Sequence, residues 1–165
     1  MKKIAYFLEF ILIKILFLLF QLIGYRLSSD LGFFIGRTIG PIFKSKKIII
    51  QNIKKANIKH SDNLSQIASN VLGNYGRIFA EYVYLKKFRN DELKKYVSID
   101  GLEHLENLKN NKKKAVFISG HFNNFELMAM EIEKAGIDLA AIYRPLNNIF
   151  LNKTMEQIRK ENICK

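Results

Sequence analysis

His121 and Glu126, within the run Gly120-His121-Phe122-Asn123-Asn124-Phe125-Glu126, have the types and spacing for proton transfer. A neutral imidazole can take the proton from a hydroxyl nucleophile, while a carboxylate fixes the tautomer and stabilises the imidazolium that forms. On one regular helix, residues at this spacing lie about 140° apart around the axis and cannot face each other. The pair therefore makes sense only if His121 sits in a turn and Glu126 in the first turn of the helix that follows. Such a junction adds backbone N–H groups and the positive end of a helix dipole, which hold an oxyanion and keep the imidazole neutral and basic.

The same residues have a plainer reading. Asn123-x-x-Glu126 has capping-box spacing, with Asn in place of Ser or Thr, and Glu126 would then only tie back to a backbone N–H. His121 reads equally as a hydrogen-bonded histidine at a strand end. Spacing alone leaves catalysis and structure both open.

Around the pair, residues 115–119 (Ala-Val-Phe-Ile-Ser) read as a buried strand and residues 125–135 as a helix. Residues 137–143 read as the next strand, delivering Arg144-Pro145, and residues 149–161 as a helix. Upstream, residues 96–101 read as a short strand, 102–108 as a helix and 110–114 as a polar turn. Strands alternating with helices imply right-handed βαβ units, an α/β class with a mostly parallel sheet, and sites beyond the carboxyl ends of the strands. Both polar segments, Gly120-His121 and Arg144-Pro145, fall there.

The N-terminal half has a different texture. Residues 4–24 are apolar apart from Glu9, Lys14 and Gln21, long enough for a membrane helix, with no small-x-small cleavage site after them. Lys3, Lys14, Gln21 and Tyr25 share a narrow stripe of that helix, which implies packing on protein or lying in the interface. Residues 27–43 carry Gly32, Gly36 and Gly40 at four-residue spacing, a small face suited to close packing against this anchor, and Pro41 is expected to end or kink the helix. Residues 63–85 repeat apolar positions at helical spacing behind the caps Ser61, Asp62 and Asn63.

Composition sets the outer limits. The 165 residues, 48% of them hydrophobic, suffice for one domain plus an anchor. Lys and Arg number 27 against 15 Asp and Glu, so partners are expected to be anionic lipid or phosphorylated substrates. Nucleic acid is the weaker choice, because an apolar anchor argues for a lipid surface and no nucleic-acid motif appears. Cys164 stands alone, so an intramolecular disulfide and a cysteine metal site are excluded and a reducing, cytosol-facing domain is expected.

The segment Ile118-Ser119-Gly120-His121-Phe122-Asn123-Asn124-Phe125-Glu126 resembles the strand-GHFGNWE segment of the bacterial lipid A late acyltransferases, the lauroyl and myristoyl transferase family. Three further stretches agree with that family in the same order. They are residues 47–55 around Asn52-Ile53, Asp100-Gly101-Leu102-Glu103-His104-Leu105, and Tyr143-Arg144-Pro145-Leu146-Asn147-Asn148. The H-x-x-x-x-D/E spacing is weak alone, whereas four motifs in family order behind an apolar segment are specific.

The resemblance implies transfer of a fatty acyl group from acyl carrier protein, or acyl-CoA, to a hydroxyl of a Kdo-bearing, phosphorylated lipid A precursor at the cytoplasmic side of the inner membrane. His121 would be the base and Glu126 its partner. Arg144, with Asn124 and Arg159, would bind substrate, Arg144 through a phosphate, carboxylate or oxyanion or else as a structural salt bridge. Neither a metal nor a cofactor is implied. Residues 1–26 would then be the membrane anchor, 27–90 a helical region, and 91–165 the N-terminal part of the α/β acyltransferase domain, its C-terminal half absent.

The chain departs from the family pattern in three places: Asn124-Phe125 stands for Asn-Trp, Leu151-Asn152 for a Leu-Asp pair, and Arg159 keeps only the first arginine of an Arg-x-Arg-x-Gly run. Competing expectations are a related acyltransferase acting on a phospholipid or glycolipid acceptor, and a non-catalytic membrane-binding fragment.

Overall fold

A computed structural model describes residues 2–56 and 63–163. Among these residues the order is α1 (Lys2–Ile23), α2 (Tyr25–Phe43), α3 (Lys46–Lys55), α4 (Leu64–Glu81), α5 (Leu85–Arg89), α6 (Leu102–Asn110), α7 (Phe125–Lys134) and α8 (Ile149–Asn162). Single 3-10 turns lie at Tyr82–Tyr84 and Lys94–Tyr96. The helices form two compact units, one of Phe17–Val83 and one of Met1–Leu16 with Tyr84–Lys165.

The first unit is built on the crossing of α2 with α4. Gly24, at φ 84°, adopts a backbone that L side chains avoid and so separates α1 from α2. Ser28 turns its hydroxyl back to the carbonyls of Phe20 (2.6 Å) and Gly24 (2.8 Å), tying that break together. The glycine face of α2 meets a small face of α4. A Cβ on Gly32 would lie 2.6 Å from both the Ala80 Cβ and the Gly76 carbonyl oxygen, and one on Gly40 would press on Leu72 at 3.1 Å. The close approach expected of this stripe is therefore real, but its partner is α4 rather than the apolar N-terminal helix.

At the same crossing the buried Glu81 accepts from Ser29 Oγ at 2.7 Å and from the Tyr25 hydroxyl at 3.4 Å, so the carboxylate is hydrogen-bonded. Phe17 is buried with its ring 5.0 Å from that of Phe79. Pro41 sits inside the last turn of α2, which ends at Phe43. Asn63 caps α4 by accepting from Ser65 N, whereas the expected caps Ser61 and Asp62 lie outside the described residues, as does Cys164.

In the second unit, α5, α7 and α8 share a core that includes Leu85, Phe88, Met130 and Ile163. Ion pairs fasten its rim: Arg89 to Glu133, and Lys134 to Asp91 (2.6 Å) and Glu131 (3.0 Å). The first part of α1 packs here through Phe7, whose ring lies 5.6 Å from that of Phe150. α1 as a whole is long and apolar enough to cross a membrane by length and composition. Its 22 residues span about 33 Å.

The expected α/β sheet is not formed. Among the described residues there is no strand. Residues 94–96, overlapping the first expected strand, make a 3-10 turn, and residues 115–119 and 137–143 run without a backbone ladder. A strand exists only when a neighbouring backbone pairs with its N–H and C=O groups, and no such neighbour is present among the described residues. Consistent with that, Val116, Ile118 and Ile142 are 88%, 93% and 107% exposed. A short apolar run looks alike in sequence whether or not a partner strand lies beside it.

Candidate active site

The local backbone around His121 is set by two tight turns. Phe122 N–H donates to the Gly120 carbonyl at 2.9 Å, a three-residue turn with His121 at its tip. A Cβ on Gly120 would lie 3.0 Å from the Phe122 Cζ, so glycine leaves room for that ring. Asn123 then takes φ 45°, a left-handed conformation that asparagine tolerates better than most residues, and Phe125 N–H bonds back to its carbonyl at 3.0 Å.

Helix α7 starts at Phe125, which puts His121 ahead of the helix and Glu126 in its first turn, the arrangement that the spacing requires. The N-cap is Asn124, and its side chain makes no capping bond. A capping box needs Asn123 at the cap and Glu126 at the third helical position. Here Glu126 is at the second, so the capping-box reading fails on register.

Glu126 is buried, and its Oε1 accepts from Arg159 Nε at 3.0 Å and Nη2 at 2.6 Å. Arg159 comes from α8 and gives the buried carboxylate a compensating charge. His121 is exposed and rests on Phe125, ring centroids 4.2 Å apart and planes at 60°. The aromatic that stands in place of tryptophan thus supports the imidazole. No hydrogen bond joins His121 to Glu126; the imidazole's contact is with the residue between them and the helix start.

Tyr143 donates its hydroxyl to Glu156, and the Arg159 guanidinium carbon lies 5.6 Å from the centre of its ring. The hydrogen bond to Glu156 raises the Tyr143 pKa, reinforced by burial and the Glu156 charge and opposed by Arg159. The same bond, with Asn152 Nδ2 at 3.0 Å, lowers that of Glu156. Arg159 therefore lies between Glu126 and Tyr143, bringing together two of the sequence motifs. Arg144, next in the chain, is exposed and forms no ion pair among the described residues, so the structural salt bridge considered for it is not made.

Two asparagines with local roles carried weak signals. Asn148 caps α8 by accepting from Phe150 N (3.1 Å) and Leu151 N (3.3 Å), while its Nδ2 donates to the Tyr6 carbonyl (2.8 Å) and to Glu9 (3.0 Å). This accounts for the carboxylate in the apolar N-terminal segment. Asn152 accepts from Leu146 N at 2.8 Å and, one turn before Glu156, donates to it. An asparagine just ahead of a helical run and an i,i+4 Asn–Glu pair are the signals that point to these roles.

A cavity of about 390 Å³, lined by residues that include Phe88, Val97, Leu102, Asp91 and Lys134, contains none of the residues at the His121 turn. Asp91, Glu131 and Lys134 in its lining are engaged with each other, and Asp91 is held below the usual carboxylate range by its hydrogen bond from Lys134. Burial works against the Lys134 charge, but the bonds to Asp91 and Glu131 outweigh it and raise its pKa. Proton transfer is better served at the His121 turn.

No curated protein and no solved structure matches the chain. The family model described as Bacterial lipid A biosynthesis acyltransferase matches residues 1–164, which takes in the His121 turn, the Tyr143-Arg144-Pro145 segment and Arg159. The chain belongs to the bacterial lipid A biosynthesis acyltransferase family.

Proposed function

We propose that the chain's chemistry is transfer of a fatty acyl group from an acyl carrier protein thioester to a hydroxyl of a phosphorylated lipid A precursor, with His121 as general base. The observation that carries the reading is the pairing of an exposed imidazole at a turn tip with a buried, charge-compensated carboxylate in the first turn of the next helix.

In this reading the His121 imidazole takes the proton of the acceptor hydroxyl as the oxygen attacks the thioester carbonyl carbon. The tetrahedral intermediate places its oxyanion near the positive end of α7, where the helix dipole favours negative charge. Collapse breaks the C–S bond, and the imidazolium returns its proton to the departing thiolate, so no covalent enzyme intermediate is needed. Glu126 stabilises the imidazolium once His121 turns from Phe125 toward it, a tightening that loaded sites commonly show relative to empty ones. Arg144, exposed and without an ion pair among the described residues, is the guanidinium assigned in this reading to a phosphate of the acceptor. Asn124 borders the same helix start, and Arg159 acts by holding Glu126. α1 holds the protein at the inner membrane.

Acceptor identity is tested by offering the purified protein an acyl carrier protein thioester with a lipid A precursor, glycerol phosphate or a phosphoinositol mannoside, and reading products by mass spectrometry. A gain of one acyl chain on the lipid A precursor supports the reading. A gain confined to either other acceptor replaces it with a related acyltransferase of different substrate.

A further inference from the structure

We propose that α2 is a second membrane-contact element, lying in the plane of an anionic phospholipid bilayer with one face in the headgroup and upper acyl region. The proposal stands independently of the acyl-transfer chemistry and concerns a helix distinct from α1.

The face of α2 that carries Gly32, Gly36 and Gly40 is covered by α4. Across the helix, Phe34, Leu27, Leu31 and Ile42 fall within an arc of about 100°. They are 62%, 64%, 42% and 79% exposed. The polar residue within that arc is Thr38, and its hydroxyl is turned inward to the carbonyls of Phe34 (2.8 Å) and Ile35 (3.3 Å), so the arc presents hydrocarbon throughout. A soluble helix pair that has already spent its small face on a partner would leave this opposite side polar.

Charge identifies the occupant. Arg37 is exposed beside the arc, and Lys44 and Lys47 stand exposed just past its C-terminal end, while the acidic residue on that border, Asp30, has the Arg77 guanidinium 3.7 Å away to offset its charge. An apolar arc bordered by cations is the pattern of a helix lying about 5–10 Å into an anionic interface. A second copy of this chain suits the face less well, because a two-fold contact would set those cations against their own mates on a chain of formal charge +12.

The chain has no tryptophan, so single reporters are clean. Phe34→Trp and Ile42→Trp, both at exposed positions, are made in the full chain and reconstituted into phosphatidylcholine vesicles with or without phosphatidylglycerol, far-UV circular dichroism verifying helix content. Expected is blue-shifted emission from both, quenched strongly by lipids brominated near the headgroup and weakly by lipids brominated near the chain end, and enhanced by phosphatidylglycerol. Neutralising Arg37, Lys44 or Lys47 to Gln lowers the embedded-to-free ratio by about five-fold each. Water-like emission without quenching overturns the proposal, as does strongest quenching by the deepest bromines, which means α2 spans. Blue-shifted emission that bromines do not quench, accompanied by cross-linked dimers, assigns the face to a second copy and also overturns it.

Discussion

Arg159→Ala is expected to destabilise the protein by about 2–3 kcal/mol. Two guanidinium N–H groups, at 3.0 and 2.6 Å, end on one oxygen of Glu126. The Glu126 side chain is 7% exposed and that of Arg159 31%. A hydrogen bond to a charged group contributes about 1.5–3 kcal/mol, and removing one partner of a buried pair costs about 3–5 kcal/mol. The lower part of that span applies, because Arg159 is partly solvated and water reaches Glu126 once the guanidinium is gone. For a chain of this length the loss corresponds to a fall in Tm of roughly 5–10 °C, read by circular dichroism in detergent micelles. Glu126→Gln removes the charge that needs a partner, so adding it to Arg159→Ala should recover about 1–2 kcal/mol relative to simple addition. An unchanged Tm for Arg159→Ala, or strictly additive effects in the double variant, refutes the claim that this pair supports the start of α7.

Three other outcomes follow from particular contacts. Gly76→Ala puts a Cβ onto the Gly32 carbonyl and 2.8 Å from the Gly36 Cα and N, so overpacking of about 1–3 kcal/mol should exceed the roughly 1 kcal/mol gain in helix propensity; denaturant unfolding that shows net stabilisation contradicts the glycine crossing. Asn148→Ala removes the α8 cap and the bonds to Tyr6 and Glu9, and should lower stability by about 1–2 kcal/mol with faster amide exchange in the first turn of α8; unaltered exchange there argues against the cap. The depressed Asp91 pKa makes its contribution present above the unfolded value of 3.8 and lost as pH falls through the lower folded value. The raised Lys134 pKa makes its contribution present below 10.5 and lost as pH rises through the higher folded value. In Asp91→Asn the acid-side loss should shrink in a pH series of unfolding curves, and an unchanged acid limb would count against the pair.

The helices were legible because their signals are local. Apolar period and an asparagine cap mark α4, and periodicity marks α6, α7 and α8 to within a few residues. The sheet was not, because pairing is non-local: residues 115–119 have a strand's composition, yet Val116 and Ile118 stand in solvent with no ladder beside them. The glycine stripe of α2 announced a close crossing without naming the other helix. Gly73, Gly76 and Ala80 on α4 were the matching signal, at the spacing of one helix face. At the site, helix geometry alone placed His121 before α7 and Glu126 within it. The Arg159 bond to Glu126 spans too much sequence for any local pattern to show.

In the proposed reading the His121 turn and the start of α7 form an acyl-transfer centre. The decisive measurement is the turnover of His121→Ala in the full chain, with an acyl carrier protein thioester and a lipid A precursor. Loss of general-base catalysis predicts a fall in kcat of about 10²–10⁴-fold with helix content unchanged. Turnover at the unsubstituted rate would rule out His121 as the general base.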